Sequence, residues 1–387
     1  MKIKSKLFYI PLITLSLISC NNAFDGDVSF SLSSSSESSS QTSSKEKLNI
    51  QKISGVLGNS FANALNTDKA KIEDDTYLSY EEGLKNKETG DNVLVQSLET
   101  LSRSITSFKN FNSNLSSTFA LSYSLPSVSL AYEYEDYIND VSELIPEAEF
   151  YGLDAYIYTG YLYINTSESF VRKILPYILL NSDSYQTLDD AKDAVNEVPA
   201  KAKIEPKIIS TATWTLFHEL IEDYDADYLT NQFKDTFESW EDLEDRISFV
   251  EHDNRSYSIS LEIPKEDIVN MVSDMYAIQE ELGIEDGLSQ EDFEKIKQDL
   301  QKNMTINSFK FTAEINNSYM FTSFGEDIDV VIKSLTTYED VECNRTLGII
   351  YNSTSNISYS GVEVNIPNDL STYEVVNLEG LFKVEEE

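Results

Sequence analysis

His218-Glu219 followed by Glu222 invites comparison with the zinc motif His-Glu-x-x-His, whose two imidazoles share one helix face and bind the metal together. Here the second ligand position is Glu222, and the chain's other histidine is His252, so the pattern reads as a histidine on an amphipathic helix. Asp223, Asp225 and Asp227 have the one-three-five carboxylate spacing of a calcium loop. The position that such a loop needs as glycine is Tyr228, and the position of its bidentate glutamate is Lys234, which favours an acidic turn or helix face. Nucleophilic catalysis lacks parts: there is no Gly-x-Ser-x-Gly elbow, and Cys343, beside Asn344-Arg345, has no identifiable base and reads as a small strand residue. Paired carboxylates for glycoside hydrolysis depend on separation in space, and with 67 acids the sequence leaves that pairing open. No glycine-rich loop for phosphate is present, and no cofactor is implied.

The one covalent chemistry the chain announces is at its start. Lys2, Lys4 and Lys6 precede an apolar run from Leu7 to Ile18, the charged and hydrophobic regions of a secretory signal. Those residues as a helix rise only about 18 Å, short of a bilayer core of roughly 30 Å. Leu17-Ile18-Ser19-Cys20 resembles the lipobox of bacterial lipoproteins. That resemblance implies a diacylglyceryl group on the Cys20 thiol, cleavage before it, and acylation of the new amino terminus. Two or more acyl chains anchor stably where one is marginal. The expected location is the outer face of a bacterial cell membrane.

A formal net charge of −38 argues against nucleic acid and against a polybasic membrane contact, since both of those partners are anionic. The acids are scattered among apolar residues, and 41% hydrophobic content is enough for a sizeable core. Besides Cys20 the chain has only Cys343, so a lipid-modified chain has no intrachain disulfide and relies on that core.

These elements divide the chain into a signal peptide at 1–19, a lipidated cysteine with a flexible tether at 20–47, a helical region at 48–112, a main domain at 113–378 and an acidic tail at 379–387. The tether is Ser-rich from Asn21 to Lys47, and at about 5–6 Å × √n it reaches near 30 Å. In 48–112, Ile53, Val56, Leu57, Phe61 and Leu65 recur at helical spacing, and so do Val93, Leu94, Leu98, Leu101 and Ile105. Two helices flanking a polar region are expected there.

Alternation then replaces helical spacing. Phe119 to Leu125 and Val128 to Tyr134 read as two strands interrupted at Pro126-Ser127, and Glu149 to Tyr158 and Tyr161 to Asn165 as a hairpin about Thr159-Gly160. Helices are expected over Phe170–Leu179, after Thr187, and over Trp214–Tyr224. A second strand block opens with Ile247 and Phe249, turns at Asp253-Asn254 and continues through Tyr257 to Ile263. Pro264 starts a helix toward Gly283, and Ser289 with Asp292 caps another. Strands follow at Ile306–Ile315, Tyr319–Phe324, Ile328–Ile332, Thr346–Asn352 and Ile357–Ile366. The 23 tyrosines and 19 phenylalanines, most of them at strand spacing, read mainly as core and cross-strand pairs.

This order of elements is an α+β chain, a curved antiparallel sheet with helices on one face. The phrases "AYIYTGYLYINTS", "NRSYSISLEIPKEDIVNMV", "INSFKFTAEINNSYMFTSFGEDIDVVI" and "NISYSGVEVNIPNDLSTYE" resemble strand and strand-to-helix phrases of the LolA/LppX-like lipoprotein carriers, over residues 115–375. The resemblance implies a half-barrel with helices packed on its concave face and, in some members, a cavity for acyl chains. It transfers no binding residue. The expectation is therefore a non-enzymatic lipoprotein, anchored to the membrane through Cys20, that binds a hydrophobic ligand. The alternative is an acidic scaffold or adhesin that binds a protein or cell-wall polymer. The two differ in whether the concavity is an open apolar cavity or is filled by side chains.

Overall fold

The computed structural model describes residues 48–110, 118–134, 137–139, 151–166, 171, 172, 176, 188–196, 198–205, 224–240, 242–270, 289–338 and 341–377. Outside them lie the leader, Cys20, the tether, the acidic tail, most of the helix expected over Phe170–Leu179, and all but the last residue of that expected over Trp214–Tyr224.

Asn49 starts the first helix, its side-chain oxygen accepting the Lys52 N–H at 3.0 Å, and α1 runs Ile50–Leu65 with Ile53, Val56, Leu57 and Phe61 on its buried face. Then come three long strands, β1 (Ala70–Asn86), β2 (Asn92–Lys109) and β3 (Thr118–Tyr134), and the short β4 (Tyr137–Asn139). The hairpin β5 (Tyr151–Tyr158) and β6 (Tyr161–Thr166) turns where expected. Thr159 and Gly160 take φ of 52° and 84°, the paired positive φ of a tight two-residue turn. The helix after Thr187 is α2 (Leu188–Val195), and β7 (Lys201–Glu205) follows.

Next come α3 (Ala226–Ser239), the single turn α4 (Leu243–Arg246), and the hairpin β8 (Ile247–Glu251) with β9 (Tyr257–Glu262). Pro264 opens a helical stretch over 265–270, whose expected continuation lies outside the described residues. The chain then forms α5 (Gln290–Asn303), β10 (Met304–Ile315), β11 (Phe321–Tyr338), β12 (Val341–Ser358) and β13 (Glu374–Asn377).

Among the described residues the thirteen strands form one sheet in the order β13-β7-β6-β5-β3-β2-β1-β12-β11-β10-β9-β8, with β4 beside β3. The order does not close on itself, so the sheet is open, with β13 and β8 at its edges. Every pairing is antiparallel except β13 with β7. Strands of 17 and 18 residues would span about 55–60 Å if straight, well beyond the usual five or six residues.

Several expectations are corrected. The second helix of 48–112 is the strand β2, and the polar stretch before it is the strand β1. In β2 the apparent helical spacing arose from apolar residues on both faces, Leu94 on one and Leu101 and Ile105 on the other, and from a bulge at Val93 that packs it into the same cluster as Leu94. Because β1 pairs with β12, the sheet runs through the expected boundary at 112. The two strands expected around Pro126 are one strand, β3. Residues 125 and 126 together stand opposite Ser102 as a bulge, which spares Pro126 the N–H donation that it lacks. Likewise Phe321–Phe324 and Ile328–Ile332 are parts of one strand, β11, while Tyr319 and Met320 lie in the turn before it. The strand expected over Ile357–Ile366 ends at Ser358.

The main core lies where α1 and α3 meet the β8–β11 end of the sheet. Phe61 stacks on Phe233 with ring centroids 5.4 Å apart and meets Phe321 edge-on at 5.0 Å, so one ring ties both helices to β11. A smaller cluster holds the fully buried Cys343 thiol against Leu84, Val93 and Leu94, in keeping with its reading as a strand residue.

Candidate functional site

An apolar cavity sits inside the main core, walled by Leu57 and Phe61 of α1, Phe233 and Phe237 of α3, Ile259 and Leu261 of β9, Phe311 and Ala313 of β10, and Phe321 and Phe324 of β11. Period-two alternation on the strands and three-to-four spacing on the helices aim these side chains at one volume. The volume is about 40 Å³, room for one or a few waters. Pockets for drug-sized apolar ligands are about 300–1,000 Å³. The rings of Phe61, Phe233 and Phe321 occupy the space that an acyl chain would need.

Beside this cavity, on the same face of the sheet, the apolar lining gives way to a buried polar row. Phe324 stands opposite Ser355, Ser355 opposite Asp74, and Asp74 opposite Ser104. One step along the strands, Phe311 stands opposite Glu326, and Glu326 opposite Ser353. Asp74 and Glu326 are each 5% exposed. Ser104 donates to Asp74 Oδ2 at 2.8 Å and Ser353 donates to Glu326 Oε2 at 3.1 Å. Burial raises both carboxyls above their ordinary range. Hydroxyl donors oppose the shift, from Ser355 and Ser104 at Asp74 and from Ser353 and Tyr351 at Glu326. The charge of Asp74 further raises Glu326.

The opposite face is polar. Three rows cross five strands in register: Glu73, Asn356, Ser323, Glu314, Ser258; Asp75, Thr354, Gly325, Thr312, Ser260; and Tyr77, Asn352, Asp327, Lys310, Glu262. Glu73, Asp75, Asp327, Glu314 and Glu262 are exposed; Lys310 lies within these rows, and on the same face Lys71 pairs with Glu73 and Arg103 of β2 with Asp75.

The residues singled out from the sequence do not converge. His218, Glu219, Glu222 and Asp223 lie outside the described residues. Asp225 caps α3, accepting the Tyr228 N–H at 2.7 Å, and Asp227 lies in its first turn, so both serve the helix N-terminus. His252 lies in the exposed β8–β9 turn, its Nε2 2.7 Å from Ser258 Oγ, which donates to Glu314 at 2.7 Å. That places serine between histidine and carboxylate, whereas a nucleophilic triad has the histidine in the middle. Among the described residues no group of three or more His, Cys, Asp or Glu side chains could hold a metal. No helix among them is long and apolar enough to cross a membrane. The polar row was missed in the sequence, where its signal was a break in strand alternation.

No family model matches the chain, and no curated protein matches it. Among solved structures, one described as lipid–protein interactions in lipovitellin aligns with a TM-score of 0.22 and 8% identity. The alignment covers 78% of this chain and 26% of that one, so this chain spans about a quarter of its length.

Proposed function

We propose that this chain is a non-enzymatic lipoprotein of the outer face of a bacterial cell membrane, held by lipid on Cys20, and that it acts as an acidic scaffold binding a basic protein surface through the polar face of its sheet. The observation that carries this reading is the pairing of a filled concavity with an exposed face: the cavity under α1 and α3 holds about 40 Å³, while exposed acids stand in register rows on the other side. A sheet face on which exposed acids outnumber bases speeds encounter with a cationic partner and fixes its register. The test is association of the detergent-solubilised full chain with an immobilised lysine-rich peptide at several salt concentrations. Replacing Glu73, Glu314 and Asp327 by their amides is expected to slow association and flatten its salt dependence. Replacing Glu238, Glu291 and Glu294 of the helices serves as a charge-matched control with a smaller effect. Equal effects would overturn the assignment of the face.

A second reading, a LolA-like half-barrel carrying an acyl or other hydrophobic ligand on its concave face, draws support from the cavity wall, which is almost wholly apolar side chains. That reading requires α1 and α3 to move off the sheet and enlarge the cavity severalfold.

A further inference from the structure

We propose that residues 359–377 form a detachable strap, and that the β7 edge they cover takes the same segment from a second copy of this chain, giving a strand-exchanged dimer. β12 ends in the middle of the sheet and β13 forms its far edge, so residues 359–373 pass seven strand spacings, about 34 Å at roughly 4.8 Å each. They leave β12 through Gly361, whose φ of 65° gives the chain a glycine hinge. One register row runs from Ser358 of β12 through Tyr156, Tyr163 and Lys203 to Val375 of β13, so these strands share the acid-bearing face. On that face Lys201 of β7 donates to Asp369 of the strap at 2.6 Å. The Tyr373 ring meets that of Tyr163 edge-on at 5.6 Å, and both rings are buried.

The hold of the strap is slight. Among the described residues no backbone hydrogen bond joins 359–372 to the sheet; those within it close one turn, from Thr372 to Asp369 and from Tyr373 to Leu370. β13 pairs over only four residues, in the one parallel pairing of the sheet, and parallel ladders are slightly weaker per residue. Val375 is 61% exposed. The Lys201–Asp369 ion pair is half-exposed, and such pairs contribute little. A unit held this way opens well below global unfolding. Opening bares the β7 edge and the Tyr163 ring beside Lys201 and Lys203. An incoming strand must therefore be extended and acidic, with an aromatic ring placed as Tyr373 is. The strap of a second copy meets each requirement: residues 359–377 carry Glu363, Asp369 and Glu374 and no base. Exchange remakes every contact between copies and needs no new complementary surface. What resists it is the net charge of −38 on each chain, which salt screens. The inference is independent of what the acidic rows bind.

The test is disulfide trapping in the full chain in detergent, at Lys203 and Val375, which stand opposite each other across β7 and β13. Lys203→Cys with Val375→Cys in one chain should close an intrachain disulfide, because paired strands bring Cα atoms within disulfide range. The two single variants, purified apart and then mixed, should form a 203–375 disulfide between chains, identified by peptide mapping. Its yield should rise about threefold between roughly 0.05 and 0.5 M salt. Adding Asp369→Asn to both should speed its appearance severalfold, since the closed strap then lacks its ion pair. Asp154→Cys mixed with Asn165→Cys, opposite each other across β5 and β6, should give no interchain disulfide beyond that of the unaltered chain. Cooperative thermal unfolding checks that each variant is folded. Absence of the interchain 203–375 disulfide, or as much cross-linking from the β5–β6 mixture, would overturn the exchange. Absence of the intrachain disulfide in the double variant would overturn the strap itself.

Discussion

Gly58 on α1 and Thr230 on α3 touch with no room for a side chain between them: a Cβ added at Gly58 would lie 2.3 Å from Thr230 Oγ1 and 2.5 Å from its backbone nitrogen. The close helix crossing brings Phe61 onto Phe233 one turn later. In an isolated helix Gly→Ala stabilises by about 0.5–1 kcal/mol. Here the clash involves backbone, so Gly58→Ala should instead destabilise by about 1–3 kcal/mol, the usual cost of overpacking. Urea denaturation reads the sign, and a higher midpoint would show that the helices are not in contact at this point.

Phe61 is 3% exposed and packs against both α3 and β11. Phe61→Ala should cost about 3–5 kcal/mol and enlarge the cavity that Phe61 lines. A loss below about 1 kcal/mol in denaturant titration would mean that α1 does not close the sheet face.

The buried acids set a pH dependence. The Asp74 and Glu326 carboxyls are raised above 3.8 and 4.5 in the folded chain, chiefly by burial, so the folded state holds protons there that the unfolded state has released. Stability from this pair is therefore present at low pH and lost as pH rises through the raised folded values. Acidification from neutral pH toward the ordinary carboxylate range should reduce the part of the instability that belongs to these two groups. Asp74→Asn with Glu326→Gln should raise the melting temperature at neutral pH and reduce its change on acidification. An unchanged profile in the double variant would contradict the burial of these charges.

The anchor is tested by Cys20→Ser, which should stop leader cleavage at that site and release the protein from the membrane fraction. Retention in the membrane fraction would contradict lipid attachment at Cys20.

The Thr159-Gly160 hairpin and the helix start at Ser289 before Gln290 were legible in the sequence because their signals are local. Four long strands were not, three of them for one shared physical reason. Asp74 and Glu82 interrupt the apolar face of β1, Glu326 that of β11, and Ser353 and Ser355 that of β12, while the Pro126 bulge breaks β3. Four of these positions, Asp74, Glu326, Ser353 and Ser355, are neighbours in one buried polar patch, so the feature that hid the strands is that patch. Periodicity assumes that buried means apolar, and on this sheet face it does not. The cavity was legible as an apolar concavity. That it is filled was not, because filling depends on how α1 and α3 dock, which no local pattern encodes.

The central claim, that the helix-covered face of the sheet is closed and function lies on the other, is tested most directly by native mass spectrometry of the detergent-purified chain, followed by organic extraction and lipid analysis. The account predicts the mass of the chain with its covalent anchor and no further acyl species. A non-covalent acyl lipid at defined stoichiometry, released only on denaturation, would contradict it and make the chain a carrier.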